Sequence, residues 1–310
     1  MNSQSRRDFI SSVTVGGGLL MNEALQAETD LSGKNWIDAH VHVWSQDRTL
    51  YPISANFADK DIDPPIYSPE DLAADQKGTG VARTLLIQMS FFEFDNSYMV
   101  DVIKSDPDRY RGVAIIDHEQ PGTLEVMTSL KEFGVGGFRL YAFPDKVKKW
   151  DASQGLQTMW KAGAETGQAM CCLSDPAAIP AIKAMCKKYP DTNVVIDHFA
   201  RIGVTGEIDQ AHLDQLLALA EFPNVYVKIS AFYALGKKAP PYTDLGPMIK
   251  QLRDAYGSGR LMWASDCPYQ VQGDHSYSAS VDLITKKLDF LSAEEIENMM
   301  RGTAEGLFFS

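Results

Sequence analysis

Apolar segments of strand length alternate with amphipathic segments of helical spacing along almost the whole chain, and this alternation restricts the fold more than any single motif. Eight strand candidates are legible: 36–44, 83–90, 110–117, 135–141, 168–174, 193–200, 225–231 and 261–268. Between them lie helix candidates at 69–77, 98–105, 124–133, 156–166, 177–188, 211–221 and 245–256, and 293–308 supplies a further helix at the end. Several strands are apolar on both faces, as in Val194-Val195-Ile196, which is the composition of a parallel strand covered on both sides. Leu213, Leu216, Leu217 and Ala220 form a stripe at helical spacing. Ser68-Pro69-Glu70-Asp71 reads as an N-cap followed by a first-turn proline, and Ser292-Ala293-Glu294-Glu295 as a capping box. Alternating strands and helices make a parallel sheet, and eight units close best into a single α/β domain, a (β/α)8 TIM barrel. A doubly wound open sheet is the alternative. No glycine fingerprint follows an early strand, which disfavours a dinucleotide-binding version of that sheet.

The 310 residues suffice for one barrel domain, assigned to 31–310. A net charge of −12 argues against nucleic-acid binding, which needs a basic face, but leaves room for a locally basic site that takes an anionic small substrate. Residues 1–30 read as a cleavable signal segment of the twin-arginine type. Arg6-Arg7 precedes a weakly apolar stretch from Val13 to Met21, and Ala24-Leu25-Gln26-Ala27 resembles a cleavage site. The expectation is export by the twin-arginine machinery to a bacterial periplasm or beyond, with no membrane span, since the apolar stretch is too short. The four cysteines (Cys171, Cys172, Cys186 and Cys267) lack zinc-ribbon spacing and read as small buried apolar residues.

Chemistry-bearing residues fall at the ends of the strand candidates. His40-Val41-His42 closes the first, and strict alternation would turn Trp36, Asp38, His40 and His42 to the polar inner face and Ile37, Ala39, Val41 and Val43 to the apolar outer one. Arg139 lies on the fourth, His198 on the sixth, Lys228 and Ser230 on the seventh, and Asp266 at the end of the eighth. C-terminal strand ends are where barrel enzymes build active sites. Asp266 is the candidate general base. Arg139 offers a planar fork to a substrate carboxylate; Lys228 serves the same end or is buried in an ion pair. Trp44, Tyr141 and Tyr269 are candidate walls for a ring. The long irregular stretch 45–67 is expected to shape the pocket.

His40-Val41-His42, Asp197-His198, Val227-Lys228-Ile229-Ser230 and Trp263-Ala264-Ser265-Asp266-Cys267-Pro268, in that order and spacing, resemble the amidohydrolase superfamily, and within it the amidohydrolase 2 branch of lactonases and metal-dependent decarboxylases. The likeness runs from about Trp36 to the C-terminus. It implies that His40, His42, His198 and Asp266 form the metal or carbonyl-polarising set, with His198 and Asp266 catalytic and Arg139, Lys228, Trp44 and Tyr141 on the substrate. Arg139 stands where a lysine for carbamylation would be needed, so one divalent metal, zinc foremost, is the ceiling, and metal-independent activity stays open. The activity implied is hydrolysis of a small, carboxylated cyclic ester. A metal-dependent decarboxylase is the second reading and a non-catalytic periplasmic binding protein the third.

Overall fold

The computed structural model describes residues 33–310; the signal segment expected over 1–30 lies outside them. Eight parallel strands run β1 (Trp36–Val41), β2 (Val81–Ile87), β3 (Tyr110–Ala114), β4 (Val135–Ala142), β5 (Ala169–Ser174), β6 (Val194–Ile196), β7 (Val225–Ile229) and β8 (Leu261–Trp263), each paired with the next in chain order. The ring is completed past the end of β8. Asp266 N–H donates to the His40 carbonyl and His42 N–H to the Cys267 carbonyl, both at 2.9 Å, across a parallel bridge between Val41 and Cys267. The result is the expected eight-unit parallel barrel.

Two apolar layers hold it. Leu86, Phe138, Met170, Ile196, Val227 and Trp263 face outward into the main core shared with the helices. A smaller interior layer of Ile37, Leu85, Val113, Cys171, Val195 and Met262 fills the barrel itself. Ala304 and Phe308 from the C-terminal segment join the interior layer. A Cβ on Gly136, at the start of β4, would meet the Phe308 ring at 2.9 Å, so this segment stoppers the N-terminal mouth and leaves chemistry to the other end. The segment is α-helical over Ala293–Glu297 and at 303–304 and otherwise winds in wider π-type turns, a departure from the uniform helix expected over 293–308. Among the described residues no helix is long and apolar enough to cross a membrane.

The caps at Ser68 and Ser292 form as expected, each hydroxyl accepting from the backbone N–H three residues on. All four cysteines are buried and free. Cys171 faces the barrel interior and Cys172 the outer core, as adjacent residues of a strand must.

The first strand departs from strict alternation. Ile37 and Ala39 face the interior layer and Trp36 the outer core, the reverse of the expected faces. A register shift between Asp38 and Val41 then resets the pattern, so that His40 and His42 turn inward while Asp38 does not. A bulge of this kind re-aims the side chains beyond it. Outside the barrel, Asp38 fastens the seam. Its carboxylate accepts from Ser265 N–H (2.9 Å), His40 N–H (3.2 Å) and the Tyr277 hydroxyl (2.6 Å), tying both strand ends to one group.

Burial pushes the Asp38 carboxyl up to about 6, against those hydrogen bonds, from an ordinary 3.8. A raised folded-state pKa means the native protein holds a proton that the unfolded chain releases, so stability falls as pH rises from about 4 to 6. A two-unit shift at 1.36 kcal/mol per unit corresponds to about 3 kcal/mol. Denaturant unfolding of wild type and Asp38→Asn across pH 3.5–6.5 should show the wild type losing about that much relative to the variant; a constant difference would show that Asp38 titrates normally.

Candidate active site

Three strands that deliver site residues end in left-handed backbone. After β6, His198, Phe199, Ala200 and Arg201 have φ of 52, 54, 53 and 59°; after β7, Ala231 has 58°, and after β8, Asp266 has 66°. Each such residue costs about 1–2 kcal/mol when it carries a Cβ, and a run of four persists only where packing fixes it. Phe199 and Ala200 are fully buried, which anchors the run. His198 and Arg201 bracket this buried pair, and both line the same cavity.

That cavity, of about 310 Å³, opens at the C-terminal ends of the strands, and His42, Arg139, Tyr141, His198, Tyr233 and Asp266 are among its walls. Three imidazoles surround one oxygen. The Nε2 atoms of His42, His40 and His198 lie 3.3, 3.5 and 3.8 Å from Asp266 Oδ1. The other carboxylate oxygen accepts from the Tyr233 hydroxyl at 2.7 Å, which fixes how Asp266 faces the rings. The four groups assigned from sequence thus meet at a point. His40, His198 and Asp266 form the tightest set, each offering a ligand-type atom within 4.8 Å of the others; His42 joins them through Asp266.

Outer contacts orient the rings. His42 Nδ1 donates to the Ile87 carbonyl at 2.8 Å, and His198 Nδ1 pairs with the Ser230 hydroxyl at 2.8 Å. His40 Nδ1 lies 3.5 Å from Asp197 and 3.2 Å from the Lys228 ammonium, which sits 3.0 Å from Asp197. Burial, together with the cation of Lys228, holds His40 well below the ordinary imidazole pKa, and burial lowers His198 too. Burial alone would raise Asp266, but His198, His42 and His40 outweigh it and hold the carboxyl well below its usual range. His40 and His198 are therefore neutral at pH 7 beside an ionised carboxylate.

This donor set fits a divalent metal. With its Nδ1 bonded to the Ile87 carbonyl, His42 presents Nε2 to the same carboxylate oxygen, 3.3 Å away. His40 Nε2 is buried with no hydrogen-bond partner among the described residues. Imidazole nitrogens with one carboxylate are a ligand set zinc takes.

The Amidohydrolase family model matches residues 37–309. The chain belongs to the amidohydrolase family. It is 26% identical over 243 residues to the L-fucono-1,5-lactonase of Burkholderia ambifaria, covering 77% of this chain and 82% of the relative. It is 25% identical over 264 residues to the 4-sulfomuconolactone hydrolase of Hydrogenophaga intermedia, covering 83% of each. Among solved structures, a Pseudomonas putida protein assigned as a 2-pyrone-4,6-dicarboxylic acid hydrolase superposes with a TM-score of 0.74 at 26% identity, over 89% of this chain and 97% of that one.

Within this amidohydrolase the other expected site residues divide. Arg139, Tyr141 and Tyr269 line the cavity. Trp44 does not. It is fully buried, donates to the Pro64 carbonyl at 2.9 Å and meets Phe91 edge-on, so it buttresses the loop after β1 instead of touching substrate. Lys228 is fully buried with Asp197 beneath His40, the ion-pair arrangement, and is absent from the cavity wall. Arg201 and Tyr233 went unrecognised in the sequence. The signal for each was a three-residue offset, Arg201 from His198 and Tyr233 from Ser230, which carries meaning only once a tight turn is known to follow the strand.

Proposed function

We propose that this amidohydrolase hydrolyses the ester bond of a small lactone bearing a carboxylate. The observation that carries the reading is the convergence of three imidazoles and one ionised carboxylate on a cavity whose wall also presents two guanidinium groups, Arg139 and Arg201. Relatives named as lactone hydrolases support an ester bond as the target.

The residues divide the work. His40, His42, His198 and Asp266 would hold one divalent ion, zinc by the donor set, which supplies a Lewis acid toward the ester carbonyl. Asp266 takes a proton from the attacking water as the new C–O bond forms. The ring C–O bond then breaks, the departing alkoxide recovers that proton, and a ring-opened hydroxy acid results. Tyr233 holds the Asp266 carboxylate in register throughout; burial and the Asp266 charge raise its phenol far above the ordinary range, so it stays a donor. Arg139 holds the substrate carboxylate, Arg201, itself paired with Asp175 at 2.7 Å, lends a second guanidinium face to it, and Tyr141 and Tyr269 flank the ring.

Replacing Asp266 with Asn should lower kcat by about two orders of magnitude or more, the typical cost of losing a general base, while the melting temperature stays near wild type; full turnover in a lactone panel would remove Asp266 from the mechanism. Arg139→Ala should raise KM about tenfold or more for carboxylated lactones, in keeping with the loss of a charge-assisted contact, and leave neutral lactones nearly unaffected. An equal rise for both classes would cancel the anchoring role. Chelator-stripped protein should take up one zinc per chain on back-titration, and a His40→Ala, His198→Ala double variant should take up none. Undiminished uptake by the double variant would place the ion elsewhere.

A further inference from the structure

Arg139 stands between two cavities. Besides the reaction cavity it lines a larger chamber of about 510 Å³ over the ends of β3 and β4, and Ser90, Arg139 and Tyr141 belong to both. Its side chain is buried, yet its contacts are few. One terminal nitrogen reaches the Gln88 carbonyl at 3.5 Å, and Nε has no partner among the described residues. A buried guanidinium so poorly satisfied is costly without a ligand.

The far chamber has a distinct chemistry. Its walls are aromatic, with Phe57, Phe94, Phe143 and Trp150 around it, and Phe94 is 52% exposed, an apolar ring shown to solvent at the opening. Lys146 and Lys149 also line it. Lys146 meets only the exposed Asp145, at 4.0 Å, and Lys149 forms no ion pair among the described residues. The two carboxylates of the chamber are already engaged. Glu93 accepts from Ser54 and Asn56 at 2.6 and 2.9 Å, and Glu119 accepts from Ser153 and lies 3.3 Å from His118. Those bonds fix the two carboxylates in place without cancelling their charge, so three cations, Arg139, Lys146 and Lys149, face two anions and the chamber keeps a positive excess, although the chain as a whole carries −12.

We propose that the second chamber is a subsite for the unreactive part of the substrate, an aryl-sized apolar arm ending in a carboxylate. The inference rests on the lactone-hydrolase reading and sharpens it. The lactone ring lies beside His198 and Asp266 with its own carboxylate on Arg139, the arm passes that residue at the shared wall, its apolar body packs among the aromatic rings, and a second carboxylate at its end meets Lys146 and Lys149. Binding energy gained by such a remote arm can be expressed in turnover of the reacting end.

The test has two arms. Calorimetric titration of the intact protein with 4-phenylbutyrate, a ring carrying a carboxylate on a short chain, should give saturable one-site binding with Kd on the order of 1 mM, as expected for a ligand of about a dozen heavy atoms. The Lys146→Glu, Lys149→Glu variant should weaken it about tenfold or more. In the second arm, a carboxyaryl-substituted lactone should exceed its unsubstituted parent in kcat/KM by about tenfold or more with the wild type, and that ratio should fall toward one in the lysine variant. Absence of saturation at about 20-fold the expected Kd overturns the subsite, as does probe binding that Arg201→Gln abolishes and the lysine reversal leaves intact. Lysine-dependent probe binding without hydrolysis of any lactone would retire the hydrolase reading and keep the subsite; lactone hydrolysis without probe binding would do the reverse.

Discussion

The seam where the end of the eighth strand meets the first governs both the fold and the site. Two backbone hydrogen bonds close the barrel there, Asp266 N–H to the His40 carbonyl and His42 N–H to the Cys267 carbonyl. The same bonds place Asp266 against the two histidines of the first strand. Closing the sheet and assembling the site are thus one event. Asp38 reinforces it from outside by gathering the Ser265 and His40 N–H groups and the Tyr277 hydroxyl on one carboxylate. A slip of one residue at this seam would turn every side chain beyond it to the other face, so the register has to be pinned where the chemistry is.

The strand ends show how the barrel converts rigid β-structure into a converging site. β6 and β8 stop after three residues each, and the chain beyond them carries His198, Arg201 and Asp266 on left-handed backbone. Such conformations are costly, and they concentrate where function over-determines them. Here the compensation is visible: Phe199 and Ala200 lie in the outer core, and Phe199 packs near Phe232 from the corresponding turn after β7. Apolar burial behind the site holds a backbone that local preference would reject.

The sequence carried the architecture well because eight buried parallel strands separated by amphipathic helices leave few topologies open. The convergence of His40, His42, His198 and Asp266 was legible because each sits at or just past a strand end, where pattern and chemistry coincide. The sequence failed where alternation is broken. The expected faces hold for His40 to Val43 but are inverted for Trp36 to Ala39, the two halves being separated by the irregularity between Asp38 and Val41, which has no signature in a run such as Asp38-Ala39-His40-Val41. Trp44 shows the same weakness from another side: a tryptophan two residues past a histidine pair reads as a pocket wall, and only tertiary packing against Phe91 and Tyr67 makes it core. Arg201 and Tyr233 stayed hidden because their geometry depends on turns after the strands, whose handedness the residue types do not announce.

Charge is layered along the barrel axis in a way that accounts for the state of the site. Deepest lies the Lys228–Asp197 pair, wholly buried, in which the ammonium and the His40 ring outweigh burial and keep Asp197 ionised well below its usual range. Above it the Lys228 charge helps keep His40 neutral, while the imidazoles keep Asp266 ionised. Toward solvent stand Arg139 and Arg201, the latter paired with Asp175 at 2.7 Å. Arg139 is thus the unpaired cation, among the described residues, that an entering anion meets beside the Asp266 carboxylate. Reversing that order would put Asp266 at the mouth, where a carboxylated substrate would be repelled before its carbonyl reached the histidines; burying the acid behind the arginines lets one cavity attract an anion and still keep a base.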